Sequence, residues 1–529
     1  MRPRPLRPIR VSVPLSRLED GRRPPEDGRQ PPEDGRRPTT DGQPPRAEGA
    51  QAPSDSIEPT ITAISRGMGQ ERSFDVVVRR IRAAGRDAAL IYLDGFIQPV
   101  PAIRIMESLM RLPAEALEQE AERRLEQELV PYFELMWVAG PREAIDEILV
   151  GQSALVVAGL SRILILDLRQ YPARSVQEPD LERVTRGARE GFTEVGLVNV
   201  NLIRRRLRDP NLRVEALKVG VRSKTDVFLL YVEDLAPKAF VEDIRRRLVE
   251  IRADALPMGS KNLEEYLTAP RLNPFPKVRY TERPDVAASH LLEGYLVILT
   301  DTSPAAMILP ANFWQFTQHA EEYVQAPIVG TYLRWVRFVG IMASIVLVPL
   351  WVAMVTHKDV LPPWLQWIGP REPGIVPVWL QLMLLTLGLD IIRMALIHTP
   401  TALATSIGLV GAVLLGQFAV DAGLFTNETV LYSALAAIGS FTTPALEFAL
   451  AARLFQYPLI ALSAWLGLVG LVVGLVGMIY VMALTRSFFM PYLWPLAPLH
   501  TKALGRLLWR YPIPSVRQHR TPRPDRADA

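Results

Sequence analysis

The sequence predicts an α+β soluble domain of two lobes followed by an all-α polytopic membrane domain. Long charge-free apolar stretches crowd between Phe338 and Leu484, whereas the chain before them is rich in charge. A helix needs about 20 apolar residues to cross a hydrocarbon core of about 30 Å, and these stretches are long enough. In the charged part a strand, a helix and a hairpin follow one another twice, which is typical of two related α/β lobes.

Residues 1–60 are predicted to form a disordered Pro/Gly/Arg-rich tether. A seven-residue unit, Glu19-Asp-Gly-Arg-Arg-Pro-Pro25, recurs as Glu26-Asp-Gly-Arg-Gln-Pro-Pro32 and then decays. No unit contains an apolar residue, so nothing offsets the entropy that ordering would cost. We expect the tether to be dispensable for folding, and we expect no cleavable signal peptide because the first residues lack an apolar stretch.

The two lobes are predicted at residues 61–185 and 186–325. Their matching elements are strands 87–94 and 226–233, helices 102–111 and 238–251, and hairpins 153–166 and 295–309. Turn residues such as Gly159 and Asp301-Thr-Ser-Pro304 mark the two hairpins. We also predict a charged helix at 113–130 and, because aromatic residues lie beside the first apolar stretch, an interfacial helix at 313–323.

The membrane domain is predicted at residues 326–486, with four or five spans. The apolar segments are 338–355, 375–397, 403–420, 430–452 and 459–484. Arg334 and Arg337 before the first span and the basic tail of 487–529 both favour a cytoplasmic location. Five full crossings would place these two flanks on opposite sides of the membrane. One segment, either the second or the fourth, which Pro444 interrupts, is therefore expected to be re-entrant or interfacial.

The composition argues against most enzyme classes. Cysteine is absent, which excludes disulfides, a thiolate nucleophile and zinc–thiolate sites. The six histidines are scattered, and no phosphate-binding loop is present. The arginine runs at 204–206 and 245–247 lack interleaved aromatic residues, so they indicate solvated helix faces rather than nucleic-acid binding. We expect no enzymatic activity, no cofactor, no metal and no nucleic-acid partner.

Polar side chains within the spans are the candidate functional residues, because a charge in hydrocarbon is costly unless it is paired or faces water. Glu447 is the leading candidate for an ion path, and Gln417 and Asp421 are further candidates. Asp390 and Arg393, three residues apart on one helix, are predicted to form an intramembrane ion pair. Two non-functional alternatives stay open. In the first the ion pair has only a structural role, and in the second Asp421 lies at a membrane edge and has no role in an ion path.

Gly470 and Gly474 in the last span have the spacing that lets two helices approach closely. The helix that they contact lies in the same subunit or in a second copy. Together with the polar residues of the spans, this spacing favours a homo-oligomer in a lipid membrane.

Four segments together resemble the GerA-type A subunits of spore germination receptors. They are Arg186-Gly-Ala-Arg-Glu-Gly-Phe-Thr-Glu194, Asn201-Leu-Ile-Arg-Arg-Arg-Leu-Arg-Asp-Pro-Asn-Leu212, Glu293-Gly-Tyr-Leu-Val-Ile-Leu-Thr-Asp-Thr-Ser-Pro304 and Ser487-Phe-Phe-Met-Pro-Tyr-Leu-Trp-Pro-Leu-Ala-Pro498. The residues that carry the family motif are Arg186, Gly187, Arg189, Glu190, Gly191, Phe192, Asp209, Pro210, Pro491, Tyr492 and Pro495. The sequence departs from the family at Phe489, where a glycine is common.

This resemblance implies a multi-pass protein of the spore inner membrane that acts with other germination membrane proteins in oligomeric complexes. Two functions fit. The chain is either a subunit of a complex that releases ions or small solutes, or a membrane-anchored scaffold or signal-relay subunit without its own conduction path. The soluble lobes and the C-terminal tail are expected to lie in the cytoplasm.

Overall fold

The structure is a computed structural model that describes residues 56–512, apart from 119, 131–133, 172–181, 183, 269–271, 373, 399–407, 409 and 412. The repeats of the predicted tether lie outside the described residues, as does the tail beyond residue 512. The domain boundaries drawn from the sequence stay predictions.

The first lobe is a five-stranded antiparallel sheet with helices on both faces. Its strands are β1 (Val76–Ala83), β2 (Arg86–Leu93), β3 (Leu135–Val138), β4 (Ser153–Val157) and β5 (Ile163–Leu166), in the order β1-β2-β4-β5-β3. Helices α1 (Glu58–Met68) and α3 (Pro141–Leu149) cover one face, and α2 (Pro99–Arg111) covers the other. Because both faces are covered, β2 and β4 are nearly continuous apolar runs rather than alternating ones.

The second lobe repeats this plan. Its strands are β6 (Leu212–Val219), β7 (Thr225–Val232), β8 (Arg279–Thr281), β9 (Leu296–Thr300) and β10 (Ala306–Leu309), in the order β6-β7-β9-β10-β8. Its helices are α4 (Gly196–Arg206), α5 (Lys238–Glu250), α6 (Ser260–Thr268) and α7 (Pro284–Leu292). Helices α4 and α7 pack on one face, and α5 and α6 pack on the other. The predicted pair of strand–helix–hairpin units is confirmed.

Two predicted helices are wrong as continuous elements. Residues 113–130 form a short 3₁₀ turn, a helical turn and a π-helical turn, and Glu120 has a positive φ of 47°. Like charges four residues apart destabilise a helix, and Glu118, Glu122 and Glu126 have this spacing. Residues 313–323 are also divided, since Phe313–Phe316 is a 3₁₀ turn that packs inward on Phe448 instead of lying in the membrane interface.

The membrane domain is helical. It comprises α8 (Pro327–Met342) and α9 (Val348–Thr356), joined by the π-helical turn Ala343–Leu347, then α10 (Val378–His398), α11 (Asn427–Phe441) and α12 (Leu446–Leu484). Among the described residues, three helices are long and apolar enough to cross a membrane: Pro327–Thr356 (the first span), Val378–Ala395 and Leu446–Leu484. The predicted fold class, a two-lobed α+β domain followed by a helical membrane domain, is confirmed.

Helix α12 is a helical hairpin. At Gly467 the backbone adopts φ 61° and ψ −137°, which ends one arm at residue 466 and begins the second at 468. A Cβ atom at Gly470 would lie 2.0 Å from the Leu462 carbonyl oxygen, so the two arms pack closely within one chain. The structure therefore divides the predicted span 430–452 at residues 442–445 and replaces the span at 459–484 with this hairpin.

Both ends of the hairpin lie beside the second lobe. The Phe448 ring stacks on Phe316, and Met482 belongs to the same apolar cluster. The tip at Gly467 touches His357, just beyond the end of the first span. The chain therefore enters and leaves the hairpin on the same side, next to the lobe.

The chain that leaves α12 returns to the second lobe. Residues 485–493, here called the strap, form a small two-stranded turn of β11 (Arg486–Ser487) and β12 (Met490–Pro491). The Ser487 hydroxyl donates to the Lys277 carbonyl at 2.6 Å and accepts from the Ala311 amide at 2.9 Å. Met490 is buried in the lobe's core. The tail expected from residue 487 therefore begins as part of the lobe, and helix α13 (Thr501–Leu508) follows it.

Candidate functional site

A buried polar centre lies between α10 and α12. Arg453 donates from Nε to Asp390 Oδ1 at 3.1 Å and from Nη2 to the Thr386 carbonyl at 3.2 Å. The Tyr457 hydroxyl donates to Asp390 Oδ2 at 2.8 Å. The side chain of Arg453 is only 8% exposed. Ionised groups among apolar helices need such partners, and here the carboxylate has two.

The predicted ion pair between Asp390 and Arg393 is replaced by a different one. Asp390 faces α12, whereas Arg393, nearly one helical turn later, faces α11 and donates from Nη2 to the Ser440 hydroxyl at 3.0 Å. The Arg393 guanidinium also lies over the Phe441 ring, 5.2 Å from its centroid. Arg453 was not predicted from the sequence, because nothing local links it to a carboxylate 63 residues earlier.

Glu447 lies at the lobe end of the membrane domain rather than in the middle of a span. It is the second residue of α12 and it is exposed. Glu264 and Lys261 of the second lobe act on it electrostatically, as does Glu182. Residues 442–445 separate α11 from α12, so a new helix N-terminus falls here, and an acidic side chain in the first turn complements the helix dipole.

Gln417 and Asp421 are exposed near the opposite end of the helices. Gln417 lies in the π-helical turn Leu414–Phe418, and Asp421 ends the short helix that follows. Gly423, with φ 71°, turns the chain, and its carbonyl accepts from the amide of Ile375, just before α10. The structure therefore does not bring Glu447 together with Gln417 and Asp421.

A second buried charge cluster fastens the start of the first span. Glu322 is fully buried and forms salt bridges with Arg334 and Arg337. Arg334 also donates from Nη1 to the carbonyls of Arg506 and Leu507, at 3.2 and 2.6 Å. A cation at the C-terminal end of α13 complements that helix's dipole. The basic flank was expected from the sequence, but its acidic partner Glu322 was not.

The family-motif residues in the soluble part hold the second lobe together. Glu190 accepts from Arg205 at 3.2 Å and from Arg206 at 2.6 Å. The amide of the buried Phe192 donates to the Glu282 carbonyl at 2.8 Å. Arg186, Gly187 and Arg189 are exposed, whereas Gly191 is buried.

The remaining motif residues shape two connections. The Asp209 carboxylate caps a turn by accepting from the Asn211 amide at 2.8 Å, and the Pro210 carbonyl accepts from Arg213 at 2.5 Å. In the strap, Pro491 lies in β12, and the carbonyl of the buried Tyr492 accepts from the Phe313 amide at 2.8 Å. The Pro495 carbonyl accepts from His500 at 2.8 Å. These residues position the strap and the lobe.

Phe489, the departure from the family pattern, has a packing role. Its ring packs edge-on against Phe240 of α5, with centroids 4.8 Å apart. Phe488 packs against the same ring at 5.4 Å. Among the described residues there is no group of three His, Asp or Glu side chains that could hold a metal ion.

Gly470 and Gly474 pack within one chain. A Cβ atom added at position 474 would lie 2.5 Å from the Leu459 side chain of the first arm. A Cβ atom added at position 470 would meet Leu462 of the same arm. Of the two possibilities that the sequence left open, the structure shows the contact inside the subunit.

These observations define a membrane protein in which a two-lobed α+β domain is joined to a helical membrane domain. Over residues 63–522 the chain matches the family described as Bacillus/Clostridium GerA spore germination protein. The chain belongs to this GerA family, as the sequence motifs predicted. With its long apolar helices it is a membrane subunit of the germination machinery.

Two relatives from Bacillus subtilis agree with this assignment. The chain is 43% identical over 456 residues to stage V sporulation protein AF of Bacillus subtilis (strain 168), covering 85% of this chain and 91% of that protein. It is 31% identical over 468 residues to spore germination protein KA of the same organism, covering 87% and 85%. The solved N-terminal domain of the A subunit of the Bacillus megaterium spore germinant receptor GerK3 is 28% identical. The match covers 50% of this chain and 98% of that domain, and its TM-score is 0.38.

Proposed function

We propose that this chain is a subunit of an oligomeric complex that releases ions or small solutes across the spore inner membrane. The observation that carries the proposal is the exposure of Glu447, Gln417 and Asp421 in the single chain. Lipid cannot hydrogen-bond these groups, so each must face water or another subunit. Their positions at opposite ends of the helices suit the two mouths of a path formed between copies.

Reconstituted protein tests this proposal. Purified full-length chain in liposomes should release trapped ions, and Glu447→Gln should change the flux or its pH dependence several-fold without preventing assembly. Glu265→Gln is the matched control, because Glu265 is an exposed carboxylate of α6 in the second lobe. Normal flux in Glu447→Gln with intact oligomers would remove Glu447 from the path.

The second candidate is a scaffold or signal-relay subunit of a germination receptor assembly, without its own conduction path. It is favoured by the way in which the strap and the Phe316–Phe448 stack fasten the second lobe to α12. This candidate predicts no flux from the purified chain and retained binding to other germination membrane proteins. That the chain has no enzymatic activity stays a prediction under both candidates.

We further propose that the lobes and the tail lie in the cytoplasm. Arg334 and Arg337 lie near the lobe-side end of the first span, and basic residues at the end of a span favour a cytoplasmic location. Single cysteines test this orientation in a chain that has none. Val249→Cys on α5 should be protected from an impermeant thiol reagent in intact cells, and Asp359→Cys beyond the first span should react. The reverse pattern would invert the topology.

A further inference from the structure

Three buried polar side chains of the membrane domain have oxygen atoms without a hydrogen-bond partner among the described residues. They are Gln456 Oε1, Ser463 Oγ and Ser433 Oγ. The three residues are 1%, 0% and 5% exposed, so neither lipid nor bulk water accounts for them. An unpaired polar group in an apolar interior is destabilising, and three together need an explanation.

The three side chains border one interface. Gln456 and Ser463 are seven residues apart on the first arm of α12, so they share a face and are about 10 Å apart along the helix. The Gln456 amide nitrogen on this face donates to the Ser344 carbonyl of the first span at 3.1 Å. Ile460, between them, shares an apolar cluster with Trp351 of the first span and with Ala436, less than one turn from Ser433 on α11.

The same interface has a cavity at its lobe end. A cavity of about 10 Å³ is lined by Ser344, Ser440, Thr443 and Arg453, together with apolar residues. A water molecule needs a cavity of roughly this size and two to four polar partners, and this cavity supplies both. The Ser344 and Ser440 hydroxyls already donate to the Ile341 and Ala437 carbonyls, so they can serve a water molecule as acceptors, whereas a guanidinium serves it as a donor.

We propose that the interface between the first span, α11 and the first arm of α12 binds a row of internal water molecules, from the cavity beside Arg453 to Ser463. The row lies inside a single subunit and is separate from Glu447, Gln417 and Asp421. It does not depend on whether the assembled protein conducts ions. Bound water satisfies the Gln456 and Ser433 oxygens at the depth where lipid offers no hydrogen bonds.

Silver-ion accessibility tests the proposal, because Ag⁺ is small, needs water to reach a site, and reacts with thiolate. Ser463→Cys and Ser433→Cys are nearly isosteric changes in a cysteine-free chain, made in the full-length protein in phosphatidylcholine nanodiscs. The control is Leu459→Cys, which is equally buried at 1% exposure but lies in the dry contact between the two hairpin arms. Thiols left after timed exposure to silver nitrate are counted with a maleimide after denaturation.

Both serine variants should react at least about tenfold faster than Leu459→Cys, because only a hydrated thiol ionises readily. A rate equal to that of Leu459→Cys in either variant would overturn the proposal. The unsubstituted protein provides a second measurement that cannot fail through misfolding. X-ray radiolysis of bound water should oxidise Trp351, although it is only 1% exposed. An unmodified Trp351 would count equally against the row of water.

Discussion

Arg204 and Asp75 form a bidentate ion pair that joins the two lobes. Arg204 donates from Nε to Asp75 Oδ2 at 2.7 Å and from Nη2 to Oδ1 at 3.1 Å. The side chains are 2% and 0% exposed, and Asp75 precedes β1 while Arg204 lies in α4. The arginine run 204–206, predicted to lie on a solvated helix face, therefore has its first member at a buried interface.

Breaking this pair should destabilise the soluble part strongly. Arg204→Met leaves Asp75 buried without a counter-charge, which costs about 3–5 kcal/mol. Arg205→Met is the control, because Arg205 is 37% exposed and its pair with Glu190 contributes less than about 1 kcal/mol. Urea unfolding of the full chain in detergent measures both. Asp75→Leu combined with Arg204→Met should recover part of the loss, and an equal shift for the two single variants would show that burial is unimportant.

The tip of the membrane hairpin should tolerate only glycine. Gly467→Ala places a Cβ at φ 61° and ψ −137°, a region that other residues avoid at a cost of about 1–3 kcal/mol, and 3.0 Å from the His357 ring. Gly477→Ala in the second arm meets nothing within 4 Å. Thermal unfolding in detergent should show a lower midpoint for Gly467→Ala and no decrease for Gly477→Ala. Equal midpoints would mean that the turn is not formed.

The polar centre predicts which charge reversal restores assembly. Asp390→Arg and Arg453→Asp should each reduce the yield of monodisperse protein in size-exclusion chromatography, because each places like charges together in the helical bundle. The double reversal should recover part of this yield. Asp390→Arg with Arg393→Asp should not, since Arg393 contacts Ser440 instead. Recovery by this second combination would favour the pair that the sequence alone predicted.

Glu293 should make the stability of the second lobe depend on pH. Burial raises the pKa of the Glu293 carboxyl to about 7 from a usual 4.5. The folded state therefore holds the proton more tightly than the unfolded state. The stability from this group is fully present below pH 4.5 and is lost as the pH rises to about 7. Glu293→Gln should flatten the fall in unfolding free energy over this range, whereas Glu265→Gln should leave the slope unchanged.

The parts of the fold that the sequence predicted depend on short-range signals. The hairpin strands Ser153–Val157 and Leu296–Thr300 are apolar runs beside turn residues, and their pairing partners lie only a few residues away. Family membership was predictable for a similar reason, because motif residues lie close together in the sequence. The two five-stranded sheets then follow from the repeated strand–helix–hairpin pattern.

The parts of the fold that could not be predicted from the sequence depend on contacts between distant segments. The Arg453 side chain finds Asp390 across two helices, and no spacing rule connects residues 63 positions apart. The hairpin in α12 was hidden for another reason. Apolar residues continue on both sides of Gly467, so hydropathy alone cannot show that a single glycine turns the chain back. The break at 442–445 makes the position of Glu447 the start of a helix, and its role in an ion path stays a prediction.

The strap imposes an order on biogenesis. Met490 is part of the core of the second lobe, yet it is synthesised after every membrane helix. When the ribosome has completed residues 186–325, that lobe still lacks Met490 and the aromatic rings that close it over Phe240. The lobe can therefore close its core only after the hairpin has been inserted. A chain truncated before residue 486 should leave a lobe with an open apolar face, which quality-control proteases would recognise.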